Sequence, residues 1–110
     1  MSAAFPFGRM RHRLTLEAPV DTGDDTGGVN RTYVWAGALW ASITPVTMAH
    51  RFIASRDEQV VTHQIAFRHR TGLNAAMRFR AGERVFRILA IEDADAARNY
   101  MRALCEEIGK

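Results

Sequence analysis

The sequence holds one cysteine, Cys105, and one lysine, Lys110, among 110 residues. A single thiol excludes an intramolecular disulfide and suits a reducing compartment. No apolar run approaches the roughly 20 residues that a membrane-spanning helix requires. Catalytic signatures are missing too: there is no HExxH, CxxC, GxSxG, Walker loop or GxGxxG. Met1 to Arg13, MSAAFPFGRMRHR, sets a small apolar patch ahead of its positive charges, the reverse of a secretory leader. These absences lead to the expectation of a soluble protein made in the cytoplasm, with no membrane partner, no cofactor and no enzymatic activity.

What is present is compatible with one globular domain over residues 1–110. The mass of 12.4 kDa and a 47% hydrophobic fraction allow a single core and argue against wholesale disorder. The net charge is +3, carried by fourteen arginines and that one lysine. Arginine suits phosphate forks and interface pairs, although a GC-rich genome favours the same residue without chemical cause. So small a net charge does not mark a dedicated nucleic-acid binder.

Apolar residues recur with period two. In Arg11 to Ala18 (RHRLTLEA), Leu14, Leu16 and Ala18 alternate with Arg13, Thr15 and Glu17, as in a half-buried strand. Strand formers then fill Arg31 to Trp35, break at Ala36-Gly37, and resume from Leu39 to Val46, with Pro45 at a strand end or edge. Val60 to Arg70 alternates longest, placing Val61, His63, Ile65, Phe67 and His69 on one face. Met77 to Arg80 and Arg84 to Ile91 follow, joined by a tight turn at Ala81-Gly82-Glu83. The tail is ambiguous. Its composition favours a helix, whereas Tyr100, Arg102 and Leu104 alternate with Met101, Ala103 and Cys105 as a strand would. Six or seven short strands predict an all-β fold, a small antiparallel barrel or sandwich with long loops.

Three segments invite a chemical reading. Asp21 to Gly28 (DTGDDTGG) gathers three aspartates and three glycines. A calcium loop of the EF-hand type needs a glutamate at its twelfth position. That position is Thr32 counted from Asp21 and Trp35 counted from Asp24, so a solvated hairpin tip is expected instead of a metal site. The histidines, His12, His50, His63 and His69, form no ligand motif, and the acidic neighbours of Cys105 disfavour a thiolate. Tyr33, Trp35 and Trp40 read as core or subunit-interface aromatics, with a base-stacking platform as the alternative. The Arg9, Arg11, Arg13 series reads as a solvated strand face.

The order of these pieces resembles the phage head–tail joining family, the head-completion or stopper proteins of tailed phages and gene transfer agents. RHRLTLEAPV, DTGDDTGGV, TYVW and LWASITPV are followed by VTHQIAFRHRTGLNAAMRFRAGERVFRILAIED. The resemblance runs from about Met10 to Glu106. It implies a β-barrel without catalytic residues and makes Arg98 to Glu106 a strand. It also implies a virion protein at the head–tail interface, forming a ring that retains packaged DNA and accepts the tail. The implied partners are portal and adaptor proteins on the head side, tail terminator or tail tube proteins on the tail side, and DNA in the channel. A six-fold ring is favoured, and residues 1–9 are extra to the barrel and suit an interface arm.

Within that frame, Asp21, Asp24, Asp25, Gly27 and Gly28 are candidates for a docking hairpin. The segment Thr47 to Gln59 (TMAHRFIASRDEQ) is longer than a barrel turn needs, and its spacing allows one short helix over Thr47 to Ser55. It either plugs the barrel through Phe52 and Ile53 or faces the channel, with Arg51, Phe52 and Arg56 toward DNA. A monomeric OB-like nucleic-acid-binding barrel is the alternative to the whole reading.

Overall fold

The computed structural model describes residues 10–46, 60–93, 97 and 99–109. Six strands appear in chain order: β1 (His12–Gly23), β2 (Val29–Pro45), β3 (His63–Arg68), β4 (Arg78–Ala81), β5 (Arg84–Asp93) and β6 (Tyr100–Gly109). They close in the spatial order β1-β2-β3-β6-β5-β4, with β4 returning to β1, and every pairing is antiparallel. No helix occurs among the described residues. The expected short helix over Thr47 to Ser55 and the interface arm over residues 1–9 lie outside them.

The alternation legible in the sequence becomes the barrel interior. Leu14 and Leu16 of β1, Ile65 and Phe67 of β3, Phe79 of β4, Phe86 and Ile88 of β5, and Ala103 and Cys105 of β6 are each at most 2% exposed. Register assembles them into belts: Leu16 lies opposite Phe79, and Phe79 opposite Phe86. Phe67 meets the ring of Phe79 edge-on, with centroids 5.6 Å apart. Full closure of the sheet leaves no free edge along this part of the molecule.

Three boundaries differ from the sequence reading. β2 does not stop at Ala36-Gly37. It runs unbroken because Leu16 pairs with Gly37 and Glu17 with Trp35, so Ala36 is an extra residue accommodated as a bulge. β3 is shorter than the alternation from Val60 to Arg70, since its ladder to β2 ends at Pro45↔His63 and its ladder to β6 ends at Arg68↔Tyr100. β6 is a strand, as the resemblance implied, and extends to Gly109. Cross-strand partners on both sides, in β3 and β5, override its helical composition.

Candidate docking surface on a projecting ribbon

β1 and β2 pair over their whole length, from His12↔Ala41 to Gly23↔Val29. Their other neighbours cover only parts of them. β4 meets β1 at Thr15–Glu17, and β3 meets β2 at Ala41–Pro45. Beyond Glu17 and Trp35 the two strands therefore leave the barrel as a two-stranded ribbon. The molecule is drawn out accordingly, 56 Å long against 30 and 26 Å.

An isolated two-stranded ribbon is marginal in water, and this one is held at three levels. At its root, Glu17 accepts hydrogen bonds from Arg78 Nε at 2.7 Å and Arg80 Nε at 3.2 Å. The Arg78 guanidinium also lies 3.7 Å above the ring of Tyr33, a cation–π contact from barrel to ribbon. Burial pushes the Glu17 carboxyl upward, but the hydrogen bonds and charges of the two arginines outweigh it and hold the group below the usual glutamate range. Midway, Asp21 and Arg31 face each other in register and pair bidentately, at 2.7 and 3.0 Å. At the tip, Asp24 Oδ1 accepts from the amides of Thr26 (2.9 Å) and Gly28 (2.7 Å) and from the Thr26 hydroxyl (2.9 Å). Those bonds, the Gly28 amide foremost, hold the Asp24 carboxyl below its ordinary value. A Cβ at Gly28 would lie 2.6 Å from Asp24 Oδ2, so a larger residue there would make that carboxylate shift.

Of the residues singled out in the sequence, Asp21, Asp24, Asp25, Gly27 and Gly28 come together at this tip or just below it. Asp24 spends its carboxylate on the turn itself. Among the described residues no group of three or more His, Cys, Asp or Glu side chains is placed to hold a metal ion. Arg51, Phe52 and Arg56 lie outside the described residues. The ends of their segment are fixed: the Val46 amide donates to Thr62 O at 2.9 Å, and Val46 and Val61 are buried. Because β2 runs from the hairpin tip to Pro45, the ribbon tip and the ends of this connection sit at opposite ends of that strand.

The ribbon carries apolar side chains into solvent: Val20, Val29, Val34 and, at 70% exposure, Trp35. At its root lies an open groove of 270 Å³ lined by Met10, Leu39, Trp40, Arg68, His69 and Arg70. Trp40 is half exposed, with the Arg13 guanidinium 5.7 Å from its ring centre. Arg70 Nη1 donates to Ala38 O at 3.4 Å. Its guanidinium occupies the space beside Gly37, where a Cβ would come within 2.9 Å of Nη2. Gly37 also has φ +154°, a backbone conformation that disfavours a side chain there, whereas the Arg70 tip could move aside. The sequence reading missed this groove. Its walls lie about thirty residues apart in the chain and meet only through the β2–β3 ladder.

The fold is that of a small, closed all-β barrel whose distinctive features are a projecting ribbon and a groove lined in part by arginine. The family model for the phage head completion protein matches residues 5–108, and the chain belongs to that family. It is accordingly a structural component of the head–tail region of a phage-like particle. The resemblance drawn from the sequence is borne out, over a slightly longer span than Met10 to Glu106. The chain is similar to the solution structure of protein SF1141 from Shigella flexneri 2a, with 30% identity and a TM-score of 0.72. That match covers 94% of this chain and 96% of the other. It is also similar to a chain in the virion of a native gene transfer agent particle, with 28% identity and a TM-score of 0.69, covering 89% and 94%. No curated protein matches the sequence.

Proposed function

We propose that this protein completes the filled head by forming a ring at the connector, where it retains packaged DNA and provides the surface to which the tail attaches. The observation that carries this reading is the ribbon. A monomer gains nothing by projecting Trp35, Val34 and Val29 into water, whereas a subunit of an assembly buries them. Family membership supplies the setting. Cyclic symmetry, with six copies favoured, is the usual way for a repeated head-to-tail contact to terminate. Portal or adaptor proteins on one side and tail terminator or tail tube proteins on the other are the neighbours this role requires.

In this reading the channel-facing residues are Arg51 and Arg56, with Phe52 between them, on the connection that joins β2 to β3. Repetition around an axis turns one or two arginines per subunit into a strong local field at the DNA backbone. Particles made without this protein should package DNA, then lose it, and carry no tails. Tailed, DNA-filled particles from that background would overturn the proposal. Replacing Arg51 and Arg56 together by glutamine should preserve assembly and release DNA, and full retention would remove these two residues from the role.

A monomeric nucleic-acid-binding barrel is the second reading, favoured by one observation, the exposed Trp40 beside Arg13. Salt-dependent binding of a short DNA strand that quenches Trp40 fluorescence would support it.

A further inference from the structure

We infer that the groove at the root of the ribbon is the receptor for the ribbon tip of a second copy of this chain. The inference rests on the ring reading above and specifies its contact.

The two surfaces match in chemistry. The groove offers an apolar floor, Leu39, Met10 and the half-exposed Trp40, with Arg68 and Arg70 lining it and Arg13 stacked over Trp40. Among the described residues neither Arg13 nor Arg70 meets a carboxylate: Arg13 lies over Trp40, and Arg70 is bonded to a backbone oxygen. The tip offers the reverse, an apolar Val29 that is 66% exposed beside the carboxylates of Asp24 and Asp25. Asp21 and Arg31 neutralise each other one step below, so the tip's net charge is negative. A groove of 270 Å³ accommodates a valine side chain with room beside it. An acidic, valine-bearing tip seated there brings Asp25 to Arg13 while Val29 covers Trp40.

The occupant cannot be the molecule's own tip. Arg13, at the groove, and Gly23, at the tip, are ten residues apart on one strand, about 33 Å at strand spacing. The continuous ladder from Arg13↔Trp40 to Gly23↔Val29 keeps them apart. Tip and groove are different surfaces on one chain, so a contact that is not reciprocated within the pair is heterologous and leaves a free tip and a free groove on every pair. Such a contact propagates until rotation closes it into a ring. A nucleic acid is the less fitting occupant, because the groove floor is apolar and its arginines, Arg68 and Arg70 with Arg13 over Trp40, form no continuous basic track along a DNA backbone.

The test joins the two surfaces covalently in assembled particles. Asp25→Cys and His69→Cys are introduced together into the full chain. Cys105, fully buried in the barrel, does not compete. Mild oxidation should convert the double variant into a ladder of cross-linked oligomers, while each single variant stays monomeric on a denaturing gel. A complete ring in image reconstructions of the same particles, without a ladder, overturns the tip-to-groove contact and leaves the ring reading intact. Absence of any ring overturns both. An independent arm reverses the charges. Arg13→Glu and Asp25→Arg should each lower the yield of complete particles at least tenfold, and their combination should restore it. Failure of the combination to restore the yield, or a loss of DNA binding by Arg13→Glu with cross-linking unchanged, assigns the groove elsewhere and overturns the inference.

Discussion

Trp35 and Trp40 share the outer face of β2 although five residues separate them. In a regular strand an odd spacing places two side chains on opposite faces. Here Ala36 is the extra residue of the bulge, and register puts Trp35 opposite Glu17 and Trp40 opposite Arg13, both odd-numbered positions of β1. Both indoles end up outside, 70% and 53% exposed, with one on the ribbon and the other over the groove.

Trp35→Ala is expected to leave the isolated subunit's stability within about 0.5 kcal/mol of the parent, the usual range for exposed positions. Incorporation into particles should fall sharply. Denaturant unfolding and particle yield measure the two sides separately, and a large loss of stability with normal incorporation would show that the indole serves the subunit alone.

Phe67→Ala should behave in the opposite way. Its ring is 1% exposed and packed against Phe79, so truncation should cost about 3–5 kcal/mol. In a domain of this size that is a large share of the total. A shift in the urea midpoint too small to reach 2 kcal/mol (about the lower bound of the core series) would contradict the barrel packing.

Glu17 makes the subunit acid-sensitive. Its carboxyl is held below the ordinary glutamate value despite partial burial, because Arg78 and Arg80 bind its charged form. A lowered folded value means that the stabilisation is fully present above the unfolded pKa and disappears as pH falls through the folded one. Glu17→Gln should therefore cost about 1–2 kcal/mol at neutral pH, and the difference from the parent should shrink as pH falls below about 4.5. A difference constant between pH 7 and pH 3 would count against this linkage.

The Cys105 thiol is pushed up to about 12 by burial in the barrel. It should not react with an aromatic disulfide reagent at pH 8 in the folded subunit, and it should react promptly in denaturant. Stoichiometric labelling of the native protein within minutes would place the side chain elsewhere.

Much of the barrel is legible in the sequence, for a local reason. Leu14 and Leu16, Ile65 and Phe67, and Phe79 between Arg78 and Arg80 alternate with polar neighbours, and alternation records both that a segment is a strand and which face is buried. The hairpin tip is legible on the same terms. Asp24 supplies Oδ1 to amides two and four residues on, and Gly28 leaves room for the other carboxylate oxygen.

What the sequence alone determined is therefore the strands ahead of the tail with their inward faces, the polar turn at Asp21 to Gly28 and the family. Tertiary structure decided the continuity of β2 through Ala36, the strand state of Tyr100–Gly109, the closure that brings Glu17 to Arg78 and Arg80, and the groove that joins Trp40 to Arg70. Each depends on a partner strand far away in the chain: Glu17 and Arg78 are 61 residues apart, Arg70 and Ala38 are 32 apart. A periodic pattern states how a strand faces a core. It carries no information about which strand lies beside it, and a bulge or a shared surface exists only in that pairing.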